Sequence, residues 1–269
     1  MTMKSLCEAA RNGDINTGRG LLETGVFDVN QTYFGRAPLH YAADGGHSDV
    51  AALLIQHGAD PCSTDSDGDT PLHAAALHGH SDVAALLIQH GADPCSTDMF
   101  GRTPLHVAAM HGYKDVAALL IQHGADPCST DSFGRTPLRV AAKHGHKDVA
   151  ALLIQHGADP CSTDSDCGTP LHSAALHGHS DIAALLIQHG ADPFSTDKYG
   201  RTPVRYAATH GHSDVAAVLI QHGADPCSTD SDGCTPLHEA AFKGYSDVAA
   251  VLIQHGADPC STDKVCICI

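Results

Sequence analysis

Residues 65–97 read DSDGDTPLHAAALHGHSDVAALLIQHGADPCST, and this stretch decides the fold. Thr70 and Pro71 mark a helix start, because threonine caps free backbone N–H groups and proline lacks the N–H that the first helical position leaves unused. Gly79 ends this helix as a residue that adopts positive φ freely. A second helical segment with an apolar face follows and ends at Gly91. The stretch therefore predicts two short helices that cannot bury both apolar faces alone.

The same stretch recurs along the chain with a period of 33 residues and without a gap. Because each helix pair needs a neighbour to cover its apolar faces, the period predicts a stack of repeats. Residues 1–31 follow the same helix-turn-helix logic in divergent form, which suits a capping repeat. We divide the chain into a capping repeat at 1–31, seven full repeats at 32–64, 65–97, 98–130, 131–163, 164–196, 197–229 and 230–262, and a truncated tail at 263–269.

The recurring motifs resemble those of a known family. Thr-Pro-Leu-His occurs at 70–73, 103–106, 169–172 and 235–238, and His-Gly-Ala-Asp follows every second helix. With the 33-residue period, this pattern resembles the ankyrin-repeat family over almost the whole chain. The resemblance implies an all-α repeat solenoid of stacked helix-turn-helix units with projecting β-hairpin loops. It also implies a protein partner, bound through the hairpin tips and the inner face of the first helices.

The composition excludes several classes of function. A net charge of −16 opposes generic nucleic-acid binding, and no Trp is present to form a stacking platform for bases. The longest apolar run, as in Val83–Ile88, has six residues and cannot span a bilayer. Neither a Gly-rich phosphate loop nor a nucleophile motif occurs. We expect a non-catalytic protein without a cofactor, located in the cytoplasm, the nucleus or both.

Most of the 22 histidines and six of the 11 cysteines follow the columns of the repeat. The histidines of the Thr-Pro-Leu-His column are expected to bond backbone and tie the hairpin to the helix: His40, His73, His106, His172 and His238. We predict no metal site, because the His-x-His pairs offer two ligands where structural zinc takes four. Cysteines of adjacent repeats should lie ~10 Å apart, beyond the ~7 Å reach of a disulfide.

The copies differ at the hairpin tips and on the exposed side of the first helix. Some tips carry an aromatic residue and an arginine, others are acidic, and Arg139 and Arg205 replace the usual histidine. We predict a basic and aromatic strip that binds an acidic or phosphorylated segment of a partner protein. The alternative, drift on a solvated face, remains open. The strip comprises Phe34, Arg36, Phe100, Arg102, Met110, Phe133, Arg135, Arg139, Lys143, Tyr199, Arg201, Arg205, Tyr206 and Phe242.

Two irregularities interrupt the pattern. Cys167 occupies a position that otherwise holds the turn glycine, so we expect a distorted tip in which Gly168 absorbs the strain. The last second helix is as apolar as the interior ones. This indicates an incomplete fragment, a tail that folds back or joins an end-to-end dimer, or a prenylation box at Cys266. The alternative functions are accordingly the targeting or regulatory part of a larger enzyme-associated protein, and a lipid-anchored adaptor.

Overall fold

The computed structural model describes residues 3–25 and 28–261 of the chain. Within these ranges it contains sixteen helices, joined in eight consecutive pairs by short turns, and no β-strand. The chain divides into two compact units, residues 1–132 and residues 133–269.

The first unit contains four helix pairs. Odd-numbered helices pack on odd-numbered neighbours and even-numbered helices on even-numbered neighbours, so each pair covers the next. The helices are α1 Met3–Asn12, α2 Ile15–Glu23, α3 Pro38–Asp44, α4 Ser48–Gln56, α5 Pro71–His78, α6 Ser81–Gln89, α7 Pro104–His111 and α8 Lys114–Gln122.

The second unit repeats the same packing in four further pairs. Its helices are α9 Pro137–His144, α10 Lys147–Gln155, α11 Pro170–His177, α12 Ser180–Gln188, α13 Pro203–His210, α14 Ser213–Gln221, α15 Pro236–Lys243 and α16 Ser246–Gln254. The all-α repeat solenoid predicted from the sequence is confirmed.

Local chemistry sets the helix bounds as the sequence indicated. The Thr70 hydroxyl accepts a hydrogen bond from the backbone N–H of His73, and Gly79 ends α5 in the left-handed conformation with φ 76°. In the same repeat, Leu72 and Leu87 are fully buried between neighbouring pairs. Burying one such side chain contributes ~1.5–3 kcal/mol, so the stacking contacts rather than helix propensity hold each pair in place.

The projecting loops are turns rather than the expected β-hairpins. In the parts of the chain that the structure describes, strand-like pairing is reduced to one isolated bridge, between Tyr33 and Arg36. A typical loop is closed by two backbone bonds, from Asp98 N–H to the Arg102 carbonyl and from Gly101 N–H to the Asp98 carbonyl, both at 3.0 Å. The loops form no ladder of strand pairing, because aspartate side chains accept hydrogen bonds from the backbone N–H groups that a paired strand would use.

The predicted distortion at Cys167 is wrong. Cys167 itself adopts φ 61°, and Gly168 does not take a positive φ. The Asp164 carboxylate accepts from the Gly168 N–H at 2.8 Å, as in the regular loops, so the tip keeps its shape. Cys167 bears the strain, which costs a non-glycine residue ~1 kcal/mol. The absence of a side chain at Gly168 instead leaves room for Arg139, since a Cβ there would lie 2.8 Å from one of its guanidinium nitrogens.

The longest helix, α1, has ten residues. None of the helices within 3–25 and 28–261 combines the length and the apolarity needed to cross a membrane.

Candidate functional site

The loop before each interior first helix is shaped by the aspartate that opens it. The Asp98 carboxylate accepts hydrogen bonds from the backbone N–H groups of Phe100 at 2.9 Å and Arg102 at 2.8 Å. Gly101 lies between them at φ 73°, a conformation that side chains disfavour. The bonds close a tight turn that projects its side chains. The same arrangement recurs at Asp65, Asp164, Asp197 and Asp230.

Aromatic rings project from four of these tips. The exposed fractions are 83% for Phe34, 43% for Phe100, 52% for Phe133 and 48% for Tyr199. In three of them an arginine lies over the ring, which contributes ~0.5–1 kcal/mol at an exposed site. The distances from guanidinium carbon to ring centroid are 5.1 Å for Arg102 over Phe100, 4.6 Å for Arg135 over Phe133 and 4.5 Å for Arg201 over Tyr199. An arginine therefore covers part of three of the four rings, and all four rings keep a large exposed fraction.

Two of the tip arginines are also held by a carboxylate of their own loop. Arg102 Nε lies 2.6 Å from Asp98 Oδ2, and Arg201 Nη2 lies 2.7 Å from Asp197 Oδ2. Burial of Asp197 favours its protonated form, but the hydrogen bonds from Arg201 outweigh burial and lower the pKa of this carboxyl. The charge of these arginines is therefore already balanced within the loop.

Arg139 and Arg205, both assigned to the predicted strip, lie between stacked repeats, where each pairs with a carboxylate. Arg205 is only 7% exposed, and its guanidinium lies 2.8 Å from Asp230 Oδ2 and 3.0 Å from Glu239 Oε1. Arg139 pairs with Asp164 at 2.5 Å and donates to a backbone carbonyl of the next repeat at 3.0 Å. Both arginines bond to the following repeat from the position that other repeats fill with histidine.

His73 and His172 of the Thr-Pro-Leu-His column each join their own helix cap to the next loop, whereas, among the residues that the structure describes, His40 lacks the bond to its cap and His238 lacks the bond to a following loop. His73 Nδ1 accepts from the Thr70 N–H at 3.2 Å, and Nε2 lies 3.0 Å from the Arg102 carbonyl oxygen. This geometry assigns the proton to Nε2 and a neutral ring. His172 makes the equivalent bonds, and burial lowers its pKa to about 4. Burial likewise lowers the pKa of His40 and His73. His106 and His238 also accept from their capping threonines.

The remaining predicted contact residues on the first helices lie at different depths. Lys143 is exposed and Phe242 is 77% exposed. Tyr206 is half-buried, and its hydroxyl donates to Asp197 Oδ2 at 2.8 Å, so it braces the neighbouring tip. Met110 is half-buried in α7. The predicted strip thus separates into exposed rings, paired arginines and side chains that support the loops.

Sequence reasoning missed Asp69. This residue and Met110 line a groove of about 120 Å³ between α5 and α7, together with Leu77. Within the described residues the Asp69 carboxylate forms no hydrogen bond or ion pair, and burial raises its pKa. A signal was available, because the equivalent position of other repeats holds the opposite charge. Those residues are Arg36, Arg102, Arg135 and Arg201.

Cysteines within the described ranges are free thiols, most of them exposed. The Cys62 thiol donates to the Gly91 carbonyl at 3.3 Å, so this column contributes to stacking. Across residues 3–25 and 28–261, no group of three or more His, Cys, Asp or Glu side chains is placed to hold a metal ion. Cys266, the candidate prenylation site, lies outside the described residues.

The last repeat leaves apolar surface uncovered. Ala241 is exposed, whereas the equivalent Ala208 is fully buried by the repeat that follows it. Phe242 and Ile253 are 77% and 47% exposed. Ala241 and Ile253 continue the stacking face that a following repeat covers elsewhere. Phe242 lies on the exposed side of α15, where the equivalent Leu77 and Lys143 are also exposed.

The comparisons with known proteins agree with the repeat pattern. A family model described as ankyrin repeats in three copies matches residues 6–98, 57–131, 94–164, 162–230 and 190–263. Two rice proteins (Oryza sativa subsp. japonica), the probable E3 ubiquitin-protein ligases XBOS32 and XBOS33, are 40% and 44% identical over 57 residues. The 2-5A-dependent ribonuclease of Mus musculus is 42% identical over 59 residues. These matches cover 20–21% of this chain and only 12%, 11% and 8% of the respective relatives.

Proposed function

Because this chain belongs to the ankyrin-repeat family, we propose that it is a non-catalytic module that binds a partner protein. The partner contacts the loop tips and the exposed side of the first helices. One observation carries the proposal: the rings of Phe100 and Tyr199 stand exposed on turns whose backbone N–H groups are bonded by aspartate side chains. Rings presented in this way bury a large apolar area at low entropic cost, which is why aromatic residues dominate binding hot spots.

The paired arginines weaken the hypothesis of an acidic or phosphorylated partner segment. Such a segment has to compete with Asp98 for Arg102 and with Asp197 for Arg201. Exchanging one carboxylate for another at a partly exposed site changes the free energy by only ~0–1 kcal/mol. We therefore propose that the rings supply most of the affinity, while the arginines hold the rings in place.

Affinity capture with matched variants tests this proposal. We would compare the wild-type chain, the double variant Phe133→Ala/Tyr199→Ala and the control Phe194→Ala. Phe194 is 56% exposed, similar to the tip rings, but lies outside the tips in a column that other repeats fill with cysteine. Proteins captured by the wild type and by the control, but about tenfold less by the double variant, support tip binding. Equal capture by all three chains, or loss on the control alone, contradicts it.

A second candidate is the targeting part of a longer, enzyme-associated protein. It is favoured by the relatives, which are named as ubiquitin ligases and a ribonuclease and which share only 8–12% of their length with this chain. In this case the partner bound at the tips is a substrate or regulator of a catalytic region elsewhere. Immunoblotting of the endogenous protein tests this candidate. A product much larger than 27.9 kDa supports it, and a 27.9 kDa product contradicts it.

Self-association through the last repeat is a further proposal, supported by its uncovered apolar side chains. Light scattering on the wild type and on Phe242→Ser/Ile253→Ser tests it. A dimer that the double substitution converts to a monomer supports self-association, and a wild-type monomer at high concentration contradicts it.

A further inference from the structure

We propose that the groove between α5 and α7 binds a partner segment in which a lysine or arginine lies close to an apolar side chain. This inference rests on the proposed binding function and specifies the chemistry of one contact. The groove lies within the first unit. Its apolar lining consists of Ala74, Leu77, Val107 and Met110. The polar part of the lining consists of Asp69, Arg36, Arg102, His73 and His111.

The size of the groove suits one side chain rather than a free small molecule. Its volume is about 120 Å³, whereas small-molecule sites usually measure ~300–1,000 Å³. Ala74 and Val107 are almost completely buried and form the base, while Leu77 is 38% exposed. A partner side chain that covers Leu77 removes this apolar surface from water, which favours an aliphatic or aromatic residue.

The charges around the groove favour a cation on the partner. Arg36 is held by two aspartates at 3.3 and 3.4 Å, and Arg102 is held by Asp98 at 2.6 Å. Asp69 has no ion pair in the described part of the chain. His73 does not supply one, because both of its ring nitrogens are engaged by Thr70 and by a backbone carbonyl. Asp69 therefore lines the groove without a direct ion pair, although the charge of nearby Arg102 attracts its carboxylate.

The other repeats show that this carboxylate is not needed for the fold. In the loops of Arg102 and Arg201, the residue at the Asp69 position pairs with the aspartate that opens the loop. Asp69 instead places a second carboxylate beside Asp65, and burial raises its pKa. A half-buried carboxylate without a donor is unfavourable for the free protein. A partner ammonium or guanidinium group supplies the missing donor and charge.

Selection from a random peptide library tests the inference. Displayed 12-residue peptides are selected on the immobilised full chain, and the enriched peptides are resynthesised and measured by fluorescence polarisation. The variants are Asp69→Asn and Leu77→Lys, with Asp67→Asn as the matched control. Asp67 is an exposed carboxylate of the same tip outside the groove lining. The Leu77→Lys variant is compatible with the fold, because Lys143 already occupies the equivalent position in another repeat.

We expect enriched peptides with a lysine or arginine within two residues of an apolar side chain. Their affinity should fall about tenfold on Asp69→Asn and on Leu77→Lys and stay within about twofold on Asp67→Asn. Three outcomes overturn the inference: no enriched peptide, enrichment of acidic peptides, or equal losses on Asp67→Asn and Asp69→Asn. Peptides that lose affinity on Phe133→Ala/Tyr199→Ala but not on Asp69→Asn also overturn it, yet they leave the proposed binding function intact.

Discussion

Acidification should destabilise the repeats through their neutral buried histidines, and His172 provides the sharpest case. Its side chain is 3% exposed, its Nδ1 accepts from the Thr169 N–H at 3.1 Å, and its Nε2 lies 3.0 Å from the Arg201 carbonyl oxygen. A second proton on this ring breaks the bond to Thr169 and leaves a charge in the interior. Burial accordingly lowers the pKa of His172 from 6.5 to about 4.

The direction of the effect follows from proton uptake. The unfolded chain binds a proton at His172 near pH 6.5, but the folded chain does so only near pH 4. The contribution of neutral His172 to the free energy of unfolding is therefore complete above pH 6.5 and is lost as the pH falls from 6.5 to 4. The difference in pKa corresponds to a loss of ~1.4 kcal/mol at pH 5.5 and on the order of 3 kcal/mol at pH 4 from this single residue.

Two measurements check this prediction. NMR titration of the His172 ring in the folded protein should give a pKa well below 6. Urea unfolding at pH 7.5 and 5.5 should show a larger loss of stability for the wild type than for His172→Gln, which cannot take up the proton, and the difference isolates this residue from the other histidines. A ring that titrates at pH 6 or above, or identical pH dependence in the two chains, would refute the reasoning.

Further predictions concern stability. Asn30 and Cys95 occupy equivalent positions at the junction between two repeats. Asn30 makes two side-chain hydrogen bonds to the next repeat, at 3.0 and 2.8 Å, whereas the Cys95 thiol donates one bond at 3.5 Å. Cys95→Asn should therefore raise the free energy of unfolding by ~1 kcal/mol, and a lower melting temperature contradicts this. Cys167→Gly should stabilise by up to ~1 kcal/mol in thermal unfolding, whereas Cys167→Ala keeps the strained φ and should show no gain. Arg205→Leu should destabilise by ~3 kcal/mol in urea, because it leaves buried carboxylates unpaired; adding Asp230→Asn should recover part of the loss, and purely additive losses contradict the pairing.

Several features of the candidate site were within reach of the sequence. The exposed rings of Phe133 and Tyr199 follow from their place beside the turn glycine of a repeated loop. The charge reversal at Asp69 was equally visible in the aligned copies. The significance of this reversal was not visible, because only the coordinates show that Arg36 and Arg102 are already paired and that the Asp69 carboxylate lines a groove with apolar side chains.

The sequence by itself determined the helices and their stacking. Capping threonines and terminal glycines act within a few residues, and a helix pair with two uncovered apolar faces has to pack on another copy. Only the tertiary structure decided which charges meet. Arg205 and Asp230 are 25 residues apart and form a pair because one repeat stacks directly on the next. Likewise, Gly168 of the following repeat leaves room for the Arg139 guanidinium, since a Cβ there would lie 2.8 Å from one of its nitrogens. Such contacts depend on the offset between stacked repeats, which no local pattern of residues encodes.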